Sequence, residues 1–347
     1  MTEESLAHVD GQEKKIFTAR CHCESIVFTF FIPTPDTPLS AYLCHCSICR
    51  SSTGTLAICH AVLPAGERPV FIGSSGVHNL TEYVPIGRSG RYDFRFCSTC
   101  GAHVASTEIA TGDWIVSTSI VTDEDARHIR FTEQFFTKSA QDGGISSLIK
   151  IIGNTELETW NPEEESTQAS ITEDAESQAA DPEALRLQCH CGGVNAKIMR
   201  PSNVELSIGT SNSSTRKWPA TLDIGRDSRL VNGCHITGWV RLPLTACVPA
   251  IGRDLKIGTA KAYQLSDTAV HSFCGICGAT LMSLDSSDGD DITLLATGTL
   301  KATEGAMARE WLCWSPEIKG YLDTADFDPD FGEAVKTGME QWASQDS

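Results

Sequence analysis

The sequence predicts a mainly β protein built of two zinc-binding domains in tandem, joined by an acidic linker. Three observations carry that prediction. The text of one half recurs in the other, the cysteines fall into matched pairs at fixed spacings, and the apolar runs are short and rich in Val, Ile, Phe and Thr.

The strand reading rests on runs such as SIVFTFFI, PVFIG and DWIVSTSIV, which are broken by Gly, Pro and Ser. Helical periodicity is weak except near the end, at FDPDFGEAVKTGMEQWA. The chain of 347 residues is 41% hydrophobic and 21% charged, an ordinary globular mix with room for two domains. No apolar run approaches the ~18 residues that a membrane span needs, and the opening MTEESLAHVDGQEKK is unlike a signal peptide. A cytoplasmic protein without a membrane partner is expected. Thiols stay reduced there, so fifteen cysteines point to metal before disulfides.

The net charge of −18 is uneven. Residues 151–185 hold ten acids and no Lys or Arg, whereas residues 16–150 hold ten basic and twelve acidic residues. The acidity therefore belongs mostly to a solvated linker. It argues against nucleic acid, which needs a basic face, and leaves a small-molecule substrate open.

On either side of the linker the same phrases recur in order. ARCHCESIVF, FRFCSTCGAHVAS and GDWIVSTSIV in the first half match LQCHCGGVNAKI, HSFCGICGATLMS and GDDITLLATGTL in the second. This reads as an internal duplication. The expected divisions are a tail at 1–15, a first domain at 16–150, a linker at 151–185 and a second domain at 186–347. The two domains are expected to pack together as a pseudo-dimer.

Each half carries Cys-x-Cys followed by Cys-x-x-Cys-Gly. If Cys21 and Cys23 lie in a strand, both sulfurs face one side and His22 points away. The CSTCG and CGICG turns bring two thiolates together, the closing Gly accepting a positive φ. Four thiolates make a closed, structural zinc site. One is assigned to Cys21, Cys23, Cys97 and Cys100, the other to Cys189, Cys191, Cys274 and Cys277. Buried free cysteines and an iron–sulfur cluster are the alternatives.

The first half has three more cysteines, in YLCHCSICRSSTG. Cys44, Cys46 and Cys49 can converge by the same strand-then-turn logic. Three protein ligands leave one tetrahedral position for water or substrate, as catalytic zinc requires. Aligned on the shared G-to-LP frame, the second half has Asp223, Gly225 and Ser228 at these positions, while Arg50 meets Arg229. The three cysteines are therefore not needed for folding, which favours a functional role.

CHC, CHCSICR and FCSTCG in this order resemble the glutathione-dependent formaldehyde-activating enzyme and centromere protein V family. The resemblance implies a β-tent fold, a structural zinc on the outer four cysteines and a second, catalytic zinc on Cys44, Cys46 and Cys49. It also implies glutathione as co-substrate, condensing with formaldehyde to S-(hydroxymethyl)glutathione, a carbon–sulfur lyase reaction run in either direction. The resemblance covers both halves, but the inner site and its chemistry carry over only to Cys44, Cys46 and Cys49.

The remaining candidates are weaker. Arg50 offers a partner for a substrate carboxylate, or a structural ion pair. Arg88, Arg91 and Arg95 offer a basic rim, or a solvated strand face. His45 is expected to face away from its neighbouring ligands, and His60 and His103 are candidate acid–base groups. Cys59, Cys234, Cys247 and Cys313 lack ligand spacing and read as buried small residues. Three functions compete: a zinc lyase acting on glutathione or another small electrophile, a zinc enzyme acting on a different biosynthetic intermediate, and a zinc scaffold that binds a partner protein.

Overall fold

A computed structural model describes residues 6–9, 12–85, 91–162, 181–202, 216–288 and 291–345. Arg88 and residues 163–180 of the expected linker lie outside the described residues. No helix in the described part is long and apolar enough to cross a membrane.

Among the described residues each half forms one large and one small sheet, and Ile151–Ile152 pairs with Thr155–Glu156 in a separate two-stranded ribbon. The large sheet of the first half orders its strands 80–83, 92–97, 103–108, 114–117, 58–62, 39–44, 129–135 and 158–160. In the second half the order is 260–264, 269–274, 280–285, 292–296, 237–243, 218–223 and 312–319. Strand for strand this is the same path, short of the last edge strand. In both, the strand that reaches the cysteine-bearing turn, or its counterpart, runs parallel to a late strand: 39–44 with 129–135, and 218–223 with 312–319. The small sheets correspond likewise, 12–20, 27–33 and 70–71 against 184–188, 195–199 and 247–248.

The strands form because apolar and polar residues alternate along them. Val27–Pro33 buries Phe28, Phe30 and Ile32 and turns the residues between them outward. Phe17 stacks on Phe30 across the small sheet, ring centroids 5.1 Å apart. One cluster of buried side chains then runs through both halves, from Phe17 to Met339.

Around the expected boundary at 15/16, Leu6–Val9 and Gln12–Arg20 are antiparallel strands, and Ile16, Phe17 and Thr18 pair with Phe31, Phe30 and Thr29. The early part of the expected linker also folds, with Glu158–Trp160 joining the large sheet beside Glu133–Phe135. Backbone pairing holds these acidic residues, because an edge strand needs one inward face at most. Pro329–Gln345 is helical, as is Tyr321–Phe327 before it.

The halves meet through contacts that occur in mirrored pairs. Phe96 and Phe273 hold the same place before Cys97 and Cys274, and their rings meet at 6.3 Å. The backbone N–H of His22 donates to the Leu230 carbonyl, and that of His190 to the Ser51 carbonyl. His22 Nδ1 is hydrogen-bonded to the Tyr263 hydroxyl at 2.9 Å, and His190 Nδ1 to the Tyr83 hydroxyl at 2.5 Å. Gly54 and Gly233 close the two equivalent helices at positive φ, and each lies against backbone of the other half. A Cβ on Gly54 would stand 2.0 Å from the Thr280 carbonyl oxygen, and one on Gly233 1.9 Å from that of His103. Only glycine permits both the conformation and the approach.

Candidate metal centres and active site

The structure gathers Cys21, Cys23, Cys97 and Cys100 with their sulfurs within 4.8 Å of one another, and does the same for Cys189, Cys191, Cys274 and Cys277. Closest sulfurs stand 3.5–3.6 Å apart. Zn–S bonds of about 2.3 Å in a tetrahedron put sulfurs roughly 3.8 Å apart, so both donor sets fit zinc. The Cys-x-Cys pairs sit in tight turns after Arg20 and Gln188, not in strands. A left-handed residue follows each pair, Glu24 after Cys23 and Gly192 after Cys191. Gly101 and Gly278 close the knuckles at φ 84° and 79°, each donating its N–H back to the first cysteine.

Hydrogen bonding among the sulfurs splits their proton affinities. The Cys100 thiol is pushed far up by the bonds it gives to Cys21, Cys23 and Cys97, and Cys23 is held far down by accepting from Cys100 and Cys21. A divalent cation shared by all four would favour the thiolate of each.

Cys44, Cys46 and Cys49 also converge within 4.8 Å, all buried. They come from three local structures. Cys44 ends the Leu39–Cys44 strand, Cys46 caps the Ser47–Thr53 helix, and Cys49 lies in its first turn. The Cys46 sulfur accepts from the Cys49 N–H at 3.3 Å, and the Cys49 thiol donates to Cys44 at 3.6 Å. These bonds with Cys44 and Cys46, together with burial, push the Cys49 thiol well up. The helix had no sequence signal of its own, because seven residues are too few for a periodicity to show.

Around the three sulfurs the side chains are apolar and aromatic: Ile48, Ile58 and Phe94 are buried with them, and Tyr42, Tyr83, Phe135 and Phe136 pack against that cluster. Trp160 stands edge-on to both Phe135 and Phe136, at 5.9 and 5.1 Å. Phe136 holds a left-handed backbone (φ 58°) at the end of its strand, a conformation that a bulky residue seldom adopts. These aromatics escaped the sequence reading. They come from strands far apart in the chain, and Trp160 lay inside the expected linker.

The other candidates are engaged elsewhere. Arg50 donates to the carbonyls of His45 and Ser139, which ties the cysteine loop to the segment after Phe136. Arg91 pairs with Glu108, and Arg95 with Asp93 and Glu82. His45 turns to Gln134, with Nε2 2.9 Å from Oε1, and burial lowers its pKa to about 4. His60 and His103 face each other, Nε2 to Nε2 at 2.8 Å, and burial lowers His103 to about 3 and His60 well below the ordinary value. Both are neutral at pH 7, one ring donating to the other. Cys59, Cys234 and Cys247 are buried, but Cys313 is exposed, since it falls on the outward phase of the Leu312–Lys319 strand.

At the matching place in the second half, Asp223 accepts from the Gly225 N–H at 2.9 Å and burial raises its pKa. Gly225 caps the Arg226–Asn232 helix, and Gly320 packs against it so closely that a Cβ on Gly320 would stand 2.1 Å from the Gly225 Cα. A Cβ on Gly225 itself would meet the Asp223 and Asp323 carboxylates at 3.1 and 3.3 Å and the Gly320 Cα at 3.4 Å.

Residues 16–139 match the family model described as glutathione-dependent formaldehyde-activating enzyme, a span that contains the first four-cysteine set and all three inner cysteines. No curated protein and no solved structure gives a significant match to the chain.

Proposed function

We infer from the family to which residues 16–139 belong that the first half is a zinc-dependent enzyme of thiol–aldehyde chemistry, adding glutathione to formaldehyde or a similar small electrophile. The observation that carries this reading is the buried three-sulfur set inside the matched segment. Cys44, Cys46 and Cys49 would hold a zinc with one position left for substrate. Zinc so bound supplies a Lewis acid that stabilises an anionic sulfur or polarises a carbonyl.

The chain's own residues do the rest. Phe94, Phe135 and Phe136 exclude water from the sulfurs, which strengthens every charge interaction there. Arg50 holds the loop to Ser139, so the three sulfurs keep their mutual geometry. In the reaction the glutathione sulfur forms a bond to the aldehyde carbon, and the thiol proton ends on the new hydroxyl, giving S-(hydroxymethyl)glutathione. No atom is left over, and the reverse step is a carbon–sulfur cleavage.

The four-cysteine sets are structural zinc centres on this reading, and the halves are two copies of one domain, packed as a pseudo-dimer in which the second copy has lost the inner site. The shared strand order and the mirrored contacts support it. The test is carbon-13 NMR of labelled formaldehyde with glutathione. The chain should speed formation of the hydroxymethyl thioether, and Cys46→Ser should abolish the gain. A rate equal to that of the uncatalysed mixture would overturn the proposal.

A further inference from the structure

His190 stands between Cys189 and Cys191 of the second half, yet its bonds reach the inner site of the first. Its N–H donates to the carbonyl of Ser51, on the helix that carries Cys49. Its ring bonds the hydroxyl of Tyr83, which lies directly opposite Phe94 in the sheet and packs against the inner cysteine cluster. One residue thus grips both the helix that presents a ligand and an aromatic side chain beside the three sulfurs. The turn that presents His190 is itself drawn together by Cys189 and Cys191, whose sulfurs stand 3.5 Å apart.

We propose that the four-cysteine turn of the second half positions the inner site of the first, with His190 as the positioning residue and Tyr83 as the wall it fixes. The proposal rests on the enzyme reading above for its function, though not for its geometry. It also gives the second half a role that needs no inner cysteines of its own. The mirrored grip, His22 on Leu230 and Tyr263, holds the Arg226–Asn232 helix instead, which carries no cysteine, and so provides a control built into the molecule.

The test reads the accessibility of Cys44, Cys46 and Cys49 in the full chain as purified, by N-ethylmaleimide labelling and peptide mass analysis. His190→Ala and Tyr83→Phe should each speed labelling, by about tenfold and about threefold, the scale of losing a partly buried hydrogen bond. The double variant should exceed His190→Ala by less than the product of the two effects, since both cut one bond. His22→Ala and Tyr263→Phe should stay within about twofold of the unaltered chain, because they sever an equivalent bond away from the three sulfurs. Thermal melts establish that all four variants are folded; should His190→Ala fail to fold, Tyr83→Phe against Tyr263→Phe decides alone. Equal labelling in both mirrored pairs, or none in either, would overturn the proposal. Glutathione is absent from this measurement. Its protection of the same cysteines in the unaltered chain tests the proposed function separately.

Discussion

The turns at 44–54 and 223–233 follow one backbone with two chemistries. Cys46 and Gly225 cap their helices at φ/ψ of −65°/151° and −66°/155°, and Gly54 and Gly233 end them by donating to the carbonyls of Arg50 and Arg229. One turn places three sulfurs together; the other has a carboxylate that accepts from its own loop. The loop shape therefore does not depend on sulfur. Caps and strand ends make it, and the cysteines are added chemistry. The arginines show the same freedom, for Arg50 bonds carbonyls of its own half whereas Arg229 crosses to the Ser119 carbonyl and Asp123.

The strongest way to break that comparison is to mutate a closed set and the open one. Cys97→Ser should unfold the first half, losing stability on the order of 10 kcal/mol if zinc is coupled to folding. Cys46→Ser should leave the melt almost unchanged, as the second half folds with Gly225 there. Circular dichroism melts read both, and equal losses would make the inner set structural. Next in size, Gly54→Ala and Gly233→Ala should each cost on the order of 3 kcal/mol, from a left-handed backbone and a carbonyl in the way. Denaturant melts should find the two alike, since each meets the other half at the mirrored point.

Acid should separate the halves more gently. His45 and His103 have folded pKa values of about 4 and about 3, and His60 lies well below the ordinary value, all lowered by burial. The unfolded chain, titrating near 6.5, then binds more protons between about pH 3 and 6.5. Stability is full above that window and falls as pH drops through it. His235 and His271 act in the same direction in the second half, while Asp328, raised to about 6 by burial, opposes them there by losing its contribution as pH rises. Melts followed by the near-ultraviolet signal of each half should find the first half weakening sooner below pH 6.5. The smallest change expected is in metal content. The unaltered chain should carry two or three zinc ions, and Asp223→Cys, Gly225→Cys and Ser228→Cys together should add none, because the Asp323 carboxylate and the Gly320 Cα stand only 3.3 and 3.4 Å from where a Cβ on Gly225 would lie. Mass spectrometry of the metals checks both counts; one ion more in the triple variant than in the unaltered chain would refute the crowding.

The cysteine clusters were legible in the sequence because their spacing is largely local: Cys-x-Cys, Cys-x-x-Cys and the CHCSICR run each bring sulfurs together within a few residues. The mainly β character was equally legible, since burial on one face imposes a period of two on strands such as Val27–Pro33. Only the tertiary structure decided what surrounds the inner cysteines. Phe94, Phe135, Phe136 and Trp160 are brought together by strand order, which no short-range pattern encodes. It also turned Arg50 onto carbonyls and His60 onto His103, and it carried His190 from the second half to Tyr83 in the first. Spacing along the chain determines which atoms can share a metal; the company a site keeps is set by the packing of distant surfaces, which only the folded chain brings into contact.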